Sequence, residues 1–122
     1  MTRHDGPVLV VEDEPDIREM MVALLESRGY AVAAAADGAD ALAQLRAGRA
    51  PCLILLDLMM PVMDGWTFCR EKGRDPALAG IPVIVVSAVS RQDRRNQALP
   101  VVEHISKPIQ VESLLAAVAR FC

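Results

Sequence analysis

No stretch of this 122-residue sequence approaches the ~18 apolar residues of a membrane span, and the opening MTRHDGPVLVVEDE has no apolar run long enough for a secretory leader. The sequence also lacks internal repeats and low-complexity linkers, since the alanine cluster from Ala33 to Ala36 is too short to count as one, so no domain boundary suggests itself. Cysteine is scarce. Cys52, Cys69 and Cys122 are an odd number without metal-type spacing, and Cys52 opens an apolar strand where it would pack as a small hydrophobe. They are expected to be reduced thiols in a cytoplasmic protein. An excess of charge is missing too: the net charge of -3 gives no reason to propose a nucleic-acid or membrane partner. Absent as well is the glycine-rich loop that a nucleotide-binding enzyme needs after its first strand. Glu12, Asp13, Glu14 and Pro15 occupy that place and would repel phosphate unless a metal intervened.

What is present reads as one globular domain over residues 1–122, with 52% hydrophobic and 24% charged residues. Val8 to Val11, Leu53 to Leu56 and Val83 to Val86 are apolar without alternation, the pattern of strands covered on both faces in a parallel sheet. Val101 to Ile105 is a mixed fourth candidate. Ala31 to Ala35 is a weak fifth, placed mainly by its position between two helices. Ile17, Met20, Met21, Leu24 and Leu25 lay one stripe on a helix that Pro15 suits at its start and Gly29 at its end. Leu42 and Leu45 mark a second helix, and Trp66 and Cys69 a third. Val111, Leu114, Leu115 and Val118 mark the last. Ser90 to Leu99, with Arg91, Arg94 and Arg95 and little apolar face, is expected to be a short exposed helix. Strand followed by helix, five times over, predicts a doubly wound α/β domain, a three-layer sandwich.

In such sheets ligands bind beyond the carboxyl ends of the strands, where the strand order reverses. Those ends carry Glu12 and Asp13, Asp57, Ser87, and then Ser106 and Lys107 before Pro108. Each alone has an ordinary reading. Aspartate is a common turn or helix-cap residue, and acidic groups suit the start of a helix. Their coincidence on one edge points to a site. Two carboxylates at ~4 Å repel by about 4 kcal/mol at an effective dielectric of 20. A proton or a cation must relieve that repulsion. Magnesium suits such a cluster, because it takes hard oxygen ligands, needs only one or two carboxylates and keeps exchangeable waters. A metal, a lysine and a hydroxyl together form an electrostatic clamp for a phosphoryl group, and Asp57 would be the nucleophile that accepts it.

The pieces "VLVVEDE", "LILLDLMMPVMDG", "VIVVSA" and "SKP", in this order across almost the whole chain, resemble the response-regulator receiver domains of two-component signalling, the CheY-like family. The resemblance implies a five-stranded parallel sheet in the order 2-1-3-4-5, with Asp57 as phosphoacceptor. It implies a metal site made by Asp13, Asp57 and the Met59 backbone carbonyl, with Glu12 acting directly or through water, for Mg2+ or Mn2+. Ser87 would bind a phosphoryl oxygen, Lys107 would pair with the phosphate, and the Lys107–Pro108 bond would be cis. The implied function is acceptance of a phosphoryl group from a histidine kinase or phosphotransfer protein, without turnover of an external substrate. Because the sequence ends just after its last helix, no effector domain is expected. Output would then pass to a downstream protein at the face of the fourth helix, last strand and last helix.

Several positions depart from the family pattern. His104, three before Lys107, replaces the usual aromatic of the switch and is expected either to make its inward state pH-dependent or to be a plain exposed histidine. The segment from Ser87 to Lys107 is about two residues short and reads "QALPVVEHI" before the last strand, so partner recognition would be unusual there. Arg91, Arg94 and Arg95 fit either an acidic partner or a solvated basic face. Met59 and Val89 flank the phosphoryl position where polar residues are frequent, which predicts slow loss of the phosphate. Two other functions compete. A phosphatase of the haloacid dehalogenase type would need an acid where Met59 stands, whereas a receiver-like module working without phosphorylation would not need Asp57, Ser87 and Lys107 together.

Overall fold

Strand and helix alternate along the whole of the computed structural model, which describes residues 6–48 and 50–122. Residues 1–5 and 49 lie outside the described residues. The elements are β1 (Val8–Val11), α1 (Pro15–Ser27), β2 (Val32–Ala35), α2 (Gly38–Arg46) and β3 (Leu53–Leu56), followed by α3 (Gly65–Gly73), β4 (Val83–Ser87), α4 (Arg94–Gln97), β5 (Glu103–Ser106) and α5 (Val111–Phe121). The strands form one parallel sheet in the order β2-β1-β3-β4-β5.

The apolar strands fail to alternate because both faces of the sheet are covered. On one face Val8, Val10, Leu53, Leu55, Ile84 and Val86 pack with Met21 and Leu25 of α1 and Leu114 and Val118 of α5. On the other, Leu9, Val11, Ile54 and Leu56 meet Leu42 and Leu45 of α2 and Phe68 and Cys69 of α3. Pro15 opens α1, and Gly29, at φ +88, follows its end in the left-handed conformation that glycine takes without penalty.

Three expectations are corrected. The last strand begins at Glu103 rather than Val101. Pro100 has no N–H to give, and the Val101 amide turns back to the Leu99 carbonyl at 2.9 Å, so the bonds to β4 start with Val102 N to Val83 O at 2.9 Å. The exposed helix expected over Ser90 to Leu99 is helical only at Arg94–Gln97, where the Asp93 carboxylate accepts from the Arg95 amide. Finally, the cysteines are not all thiols: Cys52 and Cys122 form a disulfide with their Cα atoms 5.7 Å apart, while Cys69 stays a buried thiol. Cys52 precedes β3 at its amino end. Helix α5 runs back against the strands and delivers Cys122 to that same end of the sheet, although 70 positions separate the two in sequence. Among the described residues no helix is long and apolar enough to cross a membrane.

Candidate functional site

With this strand order the reversal lies between β1 and β3, and the residues that follow these two strands are Glu12, Asp13 and Asp57. The β1 ladder is carried one step further by Glu12 N to Ala35 O at 3.1 Å, and that of β3 by Asp57 N to Val11 O at 3.0 Å. The two buried strands thus hold two carboxylates at fixed heights on one edge. Glu12 is 2% exposed and Asp57 6%, so neither is a solvated turn residue. Carboxylate oxygens of Glu12, Asp13 and Asp57 lie within 4.8 Å of one another.

Lys107, just past β5, reaches into this group. Its ammonium donates to Glu12 Oε1 at 2.7 Å and to Asp57 Oδ2 at 3.4 Å. Burial alone pulls the Lys107 ammonium toward deprotonation, but its bonds to Glu12 and Asp57 and their charges hold its pKa above the ordinary value. Burial is also the largest influence on Glu12 and raises its pKa, against the Lys107 ammonium and the Glu14 amide, which favour the carboxylate. The Lys107–Pro108 peptide is cis, as the resemblance implied.

The loop after Asp57 is fixed at several points. Leu58 N donates to Asp57 Oδ1 at 2.8 Å, and Gly65 N closes the loop on Leu58 O at 2.8 Å. A side chain at Gly65 would place its Cβ 2.6 Å from the Asp57 carbonyl oxygen, so only glycine lets α3 start this close to the end of β3. Asp64 caps α3 by accepting from Thr67 N at 2.8 Å. At the tip, Val62 has φ 67 and Met63 N bonds Pro61 O at 2.7 Å, a γ-turn that is strained for a β-branched residue. Met59 points outward, 60% exposed.

Ser87 ends β4 beside β3 and is 1% exposed. Its hydroxyl accepts from Val89 N at 3.2 Å, and its carbonyl accepts from Lys107 N at 3.0 Å. It stands on the right edge without bonding the carboxylates.

His104 is half-buried, and its Nε2 is enclosed without a hydrogen-bond partner. Burial and the Arg91 guanidinium lower its pKa below 6.5, against a hydrogen bond with the Val89 backbone. It is therefore not the plain exposed histidine, and any pH response lies on the acid side of neutrality. Arg91 is exposed, and its guanidinium donates to the His104 carbonyl. Arg95 pairs with Asp93 at 2.8 Å and stacks on Trp66 with 3.9 Å to the ring centroid. Trp66 in turn donates to Asn96 Oδ1 at 2.9 Å. The sequence marks Trp66 as part of a helix, which it is, but does not show that it fastens the short α4 to α3. Nothing in the spacing of residues 66, 95 and 96 signals that contact.

Three carboxylates facing one ammonium leave two negative charges unbalanced at the mouth of the sheet. Hard oxygen donors in that number and charge fit a divalent cation of the magnesium kind. The class defined by fold and site is thus a doubly wound α/β domain with an acidic, lysine-braced cleft at its topological switch point.

Residues 8–119 match the response regulator receiver domain family, and the chain belongs to it. It is 36% identical over 113 residues to the DNA-binding dual master transcriptional regulator RpaA of Synechocystis, an alignment spanning 91% of this chain and 46% of that protein. The signal receiver domain of a histidine kinase from Syntrophus aciditrophicus superposes with a TM-score of 0.88 at 34% identity, over 96% of this chain and 89% of that one. A receiver domain of a Pseudomonas aeruginosa sensor histidine kinase, with magnesium coordinated in its active-site cleft, gives 0.86 at 28% identity, over 97% and 98%. The chain spans less than half the length of RpaA.

Proposed function

We propose that this receiver domain accepts a phosphoryl group on Asp57 from the phosphohistidine of a histidine kinase or phosphotransfer protein. The observation that carries the reading is the convergence of Glu12, Asp13 and Asp57 with the Lys107 ammonium between two of them. In the transfer, an Asp57 carboxylate oxygen forms the new P–O bond as the P–N bond of the donor breaks, and the electron pair leaves with the imidazole. Asp13, Asp57 and the Met59 carbonyl would hold Mg2+, or Mn2+ with the same oxygen preference, and Glu12 would assist directly or through water. The bound cation supplies charge neutralisation at the phosphoryl oxygens. Lys107, held at the Asp57 carboxylate, offers a fixed positive charge to the same oxygens, and Ser87 a hydroxyl donor once it leaves the Val89 amide.

Turnover of an external substrate is not part of this reading. The chain would promote its own modification and the loss of that modification, then pass the signal to a downstream protein in the cytoplasm through α4, β5 and α5. Ser87 and His104 would carry the switch between cleft and face.

Intact mass after incubation with a small phosphodonor and Mg2+ tests the reading. The wild type is expected to gain one phosphoryl group and Asp57→Asn none. A wild type that gains nothing, with the metal bound, would favour an interaction module that works without phosphorylation.

A further inference from the structure

Arg18 lies in the first turn of α1, where the helix dipole disfavours a cation. Its guanidinium nevertheless reaches back over the helix start, and Nη1 donates to the Glu12 carbonyl at 2.9 Å and the Asp13 carbonyl at 3.4 Å. These are the two consecutive peptides that carry the β1 side of the acidic cluster. Glu12 has other restraints: its amide is bonded to Ala35 O, its Oε2 accepts from Glu14 N at 3.1 Å, and its Oε1 holds Lys107. Asp13 has fewer. Among the described residues no hydrogen bond to its carboxylate is formed, and the Arg18 contact is what fixes its carbonyl.

We propose that Arg18 is a positioning residue for the metal. By turning the Glu12 and Asp13 carbonyls outward onto one guanidinium, it directs the two side chains toward Asp57, and its charge lessens the repulsion among three carboxylates. Both bonds come from the single nitrogen Nη1, so lysine at this position keeps a charge and a donor but on a shorter side chain that ends nearer its own backbone. The inference rests on the metal-binding reading given above.

The test is direct binding of Mn2+, followed by the electron paramagnetic resonance of the free ion, with Mg2+ as competitor and thermal melting as the control for folding. Arg18→Ala is expected to weaken Mn2+ by about tenfold, the low end for loss of a partner that orients metal ligands. Arg18→Lys should fall between it and the wild type. Phosphorylation should show the same split: more metal needed for half-maximal rate, with the rate at saturating metal kept. Should Arg18→Ala melt early, Arg18→Lys carries the comparison. Arg18 variants that bind Mn2+ within twofold of a wild type that does bind it would overturn the role given to Arg18. A wild type that binds neither ion would overturn the metal reading along with it.

Discussion

Reducing the Cys52–Cys122 disulfide should remove a large share of the stability of this domain. The bond closes a loop across a sequence separation of 70 that contains β3, α3, β4, α4, β5 and α5. In the chain-entropy account, a loop of that size restricts the unfolded ensemble by about 4 kcal/mol, although measured losses more often run near 2–4 kcal/mol. Against a net stability of about 5–15 kcal/mol for an ordinary domain, that is a large fraction, and it corresponds to a fall in Tm on the order of 10–15 °C for a chain of this length. Urea unfolding of the same preparation with and without a reducing agent measures it. Cys122→Ser is the cleaner variant, because Cys122 is partly exposed, whereas Cys52 is buried with Sγ 3.7 Å from the Pro7 carbonyl. Reduced wild type and Cys122→Ser should coincide, both with a steeper denaturant slope, since an unlinked chain exposes more surface when unfolded. Cys69 will not confuse the comparison. Burial pushes its thiol up to about 11, so it supplies almost no thiolate for exchange. Equal midpoints with and without reductant, or three free thiols titrated in the air-oxidised native protein, would contradict the argument.

Gly65→Ala drives a Cβ to 2.6 Å from the Asp57 carbonyl oxygen, where backbone must move, and should cost about 1–3 kcal/mol in urea unfolding together with a slower mass gain from a phosphodonor; unchanged values would mean that the loop relaxes freely. His104 should titrate below 6.5 by NMR. Its folded pKa is depressed, so its contribution to stability is full above pH 6.5 and is lost as the pH falls through 6.5 to the folded midpoint, the reverse of a paired histidine; a midpoint at or above 6.5, or one that does not respond to Arg91→Ala, contradicts this. The phosphate on Asp57 should outlast seconds with Mg2+ present, because Met59, two positions further on, carries no polar group that could orient water, and Met59→Asn should shorten that lifetime by roughly tenfold, well short of full general-base catalysis; a wild-type lifetime of seconds counts against the role given to Met59.

Two physical facts made the fold and the core of the site readable in advance. Strands buried on both faces must be apolar throughout, so Val8 to Val11, Leu53 to Leu56 and Val83 to Val86 stood out from their neighbours. A parallel sheet then puts every strand's carboxyl end on one edge, which turns four separate polar stops into one constellation without any knowledge of distances. Lys107 could be placed there because it follows a strand. The start of β5 was misjudged where valines promised a strand but Pro100 withheld an amide, so pattern lost to hydrogen bonding.

What stayed hidden are contacts between elements whose ends carry no shared local signal. Trp66 and Asn96 meet because α3 and α4 happen to lean together, and Arg95 stacks on the same ring. Cys52 and Cys122 meet at the opposite edge of the sheet, where the same rule that gathers strand ends also gathers helix ends. Antiparallel packing of each helix on its strands sends the carboxyl end of α5 to the amino end of β3 as surely as it sends Asp57 toward Glu12. Polar residues at the carboxyl edge announce themselves because an apolar strand has no other reason to end on buried charge. A cysteine at the other edge packs equally well as a small hydrophobe, so its sequence context cannot distinguish the thiol from half of a cross-link.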